Sequence, residues 1–223
     1  RAYKQAEAPR EDWALLEPEA CSPELSLSPE GAEIRNGKLT ARVTPAGRIS
    51  FYNQKGECLL EEYWRTRGEA DKEFCSSLLV DGREFCPISG GDYRLSVRFE
   101  SARREKLYGM GQYQQPDLDL KGCDLELAQR NSQASVPFLL SSLGYGFLWN
   151  NPAVGRVTFG KNLTTWQALS TKGMDYWITA GDTPAEIEEA YAGATGRVPM
   201  MPEYAMGFWQ CKLRYQTQEE LLQ

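Results

Sequence analysis

Between Ser135 and Thr179 the chain repeats one device: a short apolar run, VPFLL, YGFLW, AVGRVTF, TTWQAL or MDYWITA, closed each time by Gly, Asn, Ser or Lys. Runs of this length, rich in Val, Phe, Tyr, Trp and Thr and separated by turn residues, predict consecutive strands of an antiparallel sheet. Whatever the protein does is then done on or beside a β scaffold.

The same grammar starts earlier. Ile34, Leu39, Ala41 and Val43 alternate with polar residues, as half-buried strands do, and Asn36-Gly37 supplies the positive φ of a tight hairpin. Asn53 to Gly56 predicts a further turn before Glu57 to Trp64, and Phe74 to Val80 a further strand. Tyr93, Leu95, Val97 and Phe99 alternate with Arg94, Ser96 and Arg98, the clearest amphipathic strand of the chain. Gly109 and Gly111 flank Met110 inside a strand-like stretch, which predicts a bend or a close backbone approach. The connection from Tyr113 to Ala134 is long, polar and acidic; long loops between regular strands are often functional, and the plainer reading is a meander with one strand from Asp124 to Ala128. Residues 1–30, with four prolines and little periodicity, read as an irregular lead-in, so the β domain is expected over 31–198.

Near its end the chain changes period. Thr183-Pro184-Ala185-Glu186 is a capping box with Pro at the first helical position, Ile187, Ala190 and Tyr191 share one face, and Gly193 and Gly196 close the helix. Pro199 and Pro202 mark a linker. Beyond it Tyr204 to Cys211 is apolar without alternation, which predicts a strand buried on both faces, and Thr217 to Glu220 is a second capping box. Residues 199–223 are therefore expected to be the linker and first β/α unit of a second domain, broken off at Gln223.

Several chemistries are disfavoured. With 25 Lys and Arg against 31 Asp and Glu the net charge is -6, and the one basic cluster, Arg103, Arg104 and Lys106 around Glu105, reads as a solvated face rather than a nucleic-acid surface. No run approaches the ~18 apolar residues of a membrane span, and Arg1 to Arg10 is too polar for a signal-peptide core, so neither a membrane nor a nucleic acid is an expected partner and cytoplasmic residence is the expectation. A neutral ligand such as a sugar suits the charge better.

Histidine is absent, which removes a Ser-His-Asp triad, a Cys-His pair and a common zinc ligand together. The six cysteines form no CxxC pair and are read as mostly free thiols; no metal and no cofactor is expected. Asp117 with Asp119, and Glu61 with Glu62, are the carboxylate pairs that glycosidic chemistry could use, but solvated loop carboxylates explain the first and opposite strand faces disqualify the second. No catalytic residue is assigned. Trp149, Trp166, Tyr176, Trp177, Phe208 and Trp209 read as core; Tyr215 stands apart, just past the predicted strand and before a helix cap, where barrels place their sites.

Five ordered motifs carry a resemblance: Leu107 to Gly111, Asn131 to Phe138 ending in VPF, Tyr145 to Pro152 (YGFLWNNP), Asp175 to Pro184 (DYWITAGDTP), and Met201 to Cys211 (MPEYAMGFWQC). Together they resemble glycoside hydrolase family 31, which holds α-glucosidases, α-xylosidases and related transglycosylases. The resemblance implies a galactose-mutarotase-like antiparallel β-sandwich, mainly β, followed by the start of a (β/α)8 barrel. It also implies a retaining, exo-acting α-glycosidase whose two catalytic aspartates lie past Gln223. Tyr215 matches the family's aromatic residue against the innermost sugar. Arg130 and Asn131 fall in the loop that the family's sandwich sends over the barrel mouth. Ser135-Val136-Pro137-Phe138 stands where α-glucosidases carry His-Pro-Phe, and this form is more similar to bacterial α-xylosidases. The implied partners are a small α-glycoside or oligosaccharide and the chain's own barrel, with self-association left open; the rival reading is a non-catalytic carbohydrate-binding or structural β-sandwich.

Overall fold

The computed structural model describes residues 1–4, 14–17, 20–65 and 77–223. Its elements in chain order are β1 (Ala2–Tyr3), β2 (Glu24–Ser28), β3 (Gly31–Asn36), β4 (Leu39–Val43), β5 (Ile49–Asn53), β6 (Cys58–Glu61), β7 (Arg83–Pro87), β8 (Tyr93–Glu100), β9 (Leu107–Gln112), β10 (Asp124–Leu127), β11 (Ala134–Ser141), β12 (Tyr145–Leu148), β13 (Gly155–Phe159), β14 (Leu163–Thr171), β15 (Gly173–Met174), β16 (Trp177–Ala180), α1 (Pro184–Thr195) and α2 (Gln218–Leu222). One sheet runs β2-β3-β4-β5-β6, a second β10-β13-β14-β8-β7, a third β16-β12-β11-β9, and β1 pairs with β15. Each described strand pair is antiparallel, as short hairpin connections require.

The sheets close on an aromatic core. Leu95, Val97 and Phe99, the alternating residues of β8, are fully buried, and the ring of Phe99 meets Phe147 edge-on at 5.5 Å. Phe147 lies 5.1 Å from Trp166 and 5.0 Å from Tyr176, and Trp149 stacks on Trp166 at 5.7 Å. Each such side chain contributes about 1.5–3 kcal/mol by leaving water, before any ring-to-ring term. Helix α1 forms as its sequence dictates. The Thr183 hydroxyl accepts from the Glu186 N–H at 3.3 Å, while the Glu186 carboxylate reaches back to the Asp182 N–H at 3.0 Å. Gly193 lies inside the helix, and Gly196 alone, with φ of 114°, stops it. Ile187 is buried against β12, where a Cβ on Gly146 would sit 2.6 Å from its Cγ2, so only glycine lets the helix come this close.

Three segments depart from expectation. The lead-in is not wholly irregular, because Glu24–Ser28 pairs with β3 and Ala2–Tyr3 with β15; a short alternating ELSLS needs only one neighbour to become a strand. Of the strand expected from Phe74 to Val80, residues 74–76 lie outside the described residues, and 77–80 contribute one bridge, Val80 to Arg65. Tyr204 to Cys211 is not a strand. A 3-10 turn spans Glu203–Met206, no described strand runs beside the segment, and Phe208 and Trp209 are 89% and 73% exposed. A strand buried on both faces needs neighbours to accept its hydrogen bonds, and none is present among the described residues, so the start of a barrel is not visible. Thr217 does cap α2, accepting from the Glu220 N–H at 3.2 Å. Among the described residues no helix is long and apolar enough to cross a membrane.

Candidate functional site

The two glycines around Met110 set the shape of one end of the sandwich. Gly109, Met110 and Gly111 all have positive φ, 99°, 69° and 88°, and a Cβ would fall 2.6 Å from the Phe138 carbonyl oxygen at Gly109 and 2.2 Å from that of Ala134 at Gly111. Here β9 advances two residues, from Gly109 to Gly111, while β11 advances four, from Leu139 back to Ser135. The extra length bulges out at Val136 and Pro137. Met110 is itself buried in a backbone region that costs a non-glycine residue about 1–2 kcal/mol, so the surrounding packing holds the strain.

Beside the bulge opens a cleft of about 1160 Å³, walled by Val136 and Pro137, by the stretch from Trp149 to Val154, and by Asp175 and Tyr191. The Pro137 carbonyl accepts from the Trp149 N–H at 2.9 Å, tying bulge to wall. Asp175 accepts from Asn150 Nδ2 at 2.8 Å and from Arg1 Nε at 3.0 Å. Asn151 braces the wall from behind, donating to Thr171 Oγ1 and the Gly173 carbonyl, both at 3.2 Å, and accepting from the Ala153 N–H. The Trp149 indole nitrogen is buried without a hydrogen-bond partner. Apolar and aromatic walls carrying an Asn–Asp pair suit a neutral polyhydroxylated ligand or a packed protein segment.

The connection from Tyr113 to Ala134 reaches this cleft. Tyr113 Oη lies 2.8 Å from both the Glu126 carbonyl and Ser135 Oγ, and Gln129 clasps the backbone N–H and carbonyl of Ser135. Of the predicted site residues, Arg130 makes a two-pronged ion pair with Glu126, at 2.6 and 2.9 Å, which holds the Glu126 carboxyl below its usual range. Asn131 is exposed beside it at the loop tip. Tyr215 is half-buried in the C-terminal segment, its hydroxyl accepting from Gln210 Nε2 at 2.6 Å with Lys212 Nζ 5.4 Å from its ring centre. Neither Tyr215 nor Arg130 nor Asn131 lines the cleft.

The considered carboxylate pairs separate. Asp117 is exposed, whereas Asp119 accepts the N–H groups of Leu107 and Lys121, which lower its pKa from the ordinary value. Glu61 pairs with Arg48 at 2.6 Å. Glu62 is fully buried, 2.9 Å from Arg83 Nε and from the Ile49 N–H, and burial raises its pKa against the pull of Arg83. Glu105 corrects the reading of a solvated face. It is 6% exposed, accepts from Ser141 Oγ and Tyr145 Oη at 2.6 Å, and pairs with Lys121 Nζ at 2.9 Å. Its neighbours Arg103 and Arg104 disguised it, since a single acid among bases looks like surface. Asn150 and Asp175 were legible only as parts of motifs, because their meeting joins residues 25 positions apart.

A β-sandwich bulged at β11, with this cleft at its end, is the architecture that the matching family model describes as galactose mutarotase-like. The family model described as the glycosyl hydrolase 31 N-terminal galactose mutarotase-like domain matches residues 1–157, and the chain belongs to glycoside hydrolase family 31. It is 58% identical over 217 residues to an uncharacterized family 31 glucosidase, ORF2, of Pseudescherichia vulneris, covering 94% of this chain and 41% of that protein. It is 31% identical over 204 residues to alpha-xylosidase A of Aspergillus niger, covering 86% of this chain and 26% of that one. A crystal structure of a family 31 α-xylosidase from a soil metagenome, complexed with xylose, superposes with a TM-score of 0.92 at 56% identity, over 97% of this chain and 33% of that chain. The chain thus spans well under half the length of these relatives.

Proposed function

We propose that this chain is the N-terminal portion of a retaining, exo-acting α-glycosidase that removes terminal α-linked xylose, with α-linked glucose as the alternative sugar. The observation that carries the reading is the similarity to the xylose-bound α-xylosidase along nearly the whole chain, at 56% identity. Glucose stays in view because the relative from Pseudescherichia vulneris is called a glucosidase. In this reading residues 199–223 open a catalytic barrel, and the apolar surface of Phe208 and Trp209 is covered by its later strands. Two aspartates of that barrel perform double displacement: one attacks the anomeric carbon and expels the aglycone, which the other protonates; the second then deprotonates the water that releases the sugar.

The part in hand contributes shape. The sandwich supports the Tyr113–Ala134 loop, whose Arg130 and Asn131 border the outer sugar sites, and Tyr215 packs its ring against the innermost sugar. Binding a pyranose face to a phenol ring suits a neutral substrate and a protein of net charge -6. The test is to assay the full-length polypeptide on aryl α-xylosides and aryl α-glucosides with anomeric product analysis. Tyr215→Ala is expected to lower kcat/KM by about 10–100-fold, as loss of one aromatic contact would. An unchanged value removes Tyr215 from the site.

A further inference from the structure

The sheet β2-β3-β4-β5-β6 carries an apolar row that outruns the core. The register places Leu60, Phe51, Ala41, Ile34 and Leu25 side by side across the five strands. The row begins buried, with Leu60 at 8% and Phe51 at 5% exposure, and ends open, with Ile34 at 42% and Leu25 at 64%. On β2 the next residue of the same face, Leu27, is 74% exposed. Among the described residues β2 is also the edge of its sheet, so the N–H and carbonyl groups of every second residue point away from β3 with no described strand beside them. Proteins usually blunt such an edge with an inward charge, a lysine or a proline within the strand. Glu24–Ser28 has leucines at its inward positions and neither Lys nor Pro.

The sequence around this edge reads almost the same in both directions. Centred on Ser26, Leu25 mirrors Leu27, Glu24 mirrors Ser28, and Pro23 mirrors Pro29. Two copies paired antiparallel about that centre would set Leu25 against the second copy's Leu27 twice over, Ser26 against Ser26, and Glu24 against Ser28. Like charges are not opposed anywhere in the five-residue window, and the prolines, which lack an N–H, close the ladder at both ends. This is the self-complementarity that a two-fold interface requires. We infer that β2 is a self-association edge, joining two copies of this protein through an antiparallel β2–β2 pair centred on Ser26, with the four leucines on one face. The inference is independent of which sugar the protein acts on. An interface of five residues a side is small, so micromolar affinity is expected.

Register-specific cross-linking tests it in the full-length polypeptide that carries these residues. Opposed residues of an antiparallel pair lie about 4.5–5.5 Å apart at Cα, within disulfide reach. Under mild oxidation Ser26→Cys should give a covalent dimer well above the background of the unmodified protein's own cysteines. Glu24→Cys and Ser28→Cys should each stay at background alone, because each lies about 13 Å from its own copy, and should cross-link to one another when mixed. In sedimentation velocity Leu25→Lys with Leu27→Lys should weaken the dimer at least tenfold, and Leu25→Lys with Leu27→Glu should restore it by pairing opposite charges. All five substituted positions are exposed, so melting curves should match the parent. A monomer throughout the micromolar range, a Ser26→Cys yield no greater than that of Glu24→Cys, or a dimer indifferent to the two lysines would overturn the inference.

Discussion

Glu105 is the residue whose role depends most on where the fold puts it. Its carboxylate sits between the Tyr145 and Ser141 hydroxyls and the Lys121 ammonium, with Lys121 also donating to Ser101 Oγ at 2.8 Å. Burial and the adjacent carboxylate push the Tyr145 phenol well above its ordinary pKa, so it stays a donor. Removing one partner of a buried pair strands the other, and Glu105→Ala is expected to cost about 3–5 kcal/mol, lowering Tm by roughly 10 °C in a thermal melt. A change under 1 kcal/mol would mean the network is replaceable by water. Asp119 gives a pH signature. The Leu107 and Lys121 N–H groups lower its pKa, so the stability it provides is full above about pH 4, the ordinary carboxylate value, and is lost as pH falls through the lowered one. Urea titrations between pH 5 and about 2.5 should therefore fall less steeply for Asp119→Asn than for the parent. Neither residue's role could be read from sequence, since each depends on partners brought from another strand or loop.

At the scale of elements, local chemistry was legible where it was self-contained. The Asn36-Gly37 hairpin, the Asn53–Gly56 turn, the alternation of β8 and both capping boxes form as their sequences dictate. Gly109 and Gly111 foretold a close approach, though not that β11 would answer with two extra residues at Val136 and Pro137. The Tyr204 to Cys211 strand failed for the complementary reason: apolar continuity specifies a strand only when neighbours bury it, and Phe208 and Trp209 meet none among the described residues. The capping argument is quantitative. Thr183→Ala removes the acceptor for the Glu186 N–H and should cost about 1 kcal/mol in chemical denaturation. The helix should nonetheless stay docked, because Ile187 is buried and Tyr191 stacks on Phe138 at 3.8 Å with the rings 9° from parallel.

For the whole molecule, the cleft follows from the way the sandwich is built. Repeated short strands require a β scaffold, the bulged β11 shapes its open end, and the long Tyr113–Ala134 connection is held against that end by Tyr113 and Gln129. The architecture was readable because alternation and turns recur along the chain, whereas the cleft was not, because Asn150, Asp175 and Arg1 converge only after three sheets have closed. Under the proposed function the sandwich shapes a sugar site while a second domain supplies the reacting carboxylates, and that division is open to direct measurement. The decisive measurement is turnover of an aryl α-xyloside by the 223-residue chain and by the full-length polypeptide, side by side at equal concentration. The account predicts no turnover by the first, and by the second, hydrolysis with α-xylose as the initial product. Turnover by the 223-residue chain alone, or β-xylose released first by the longer one, would contradict it.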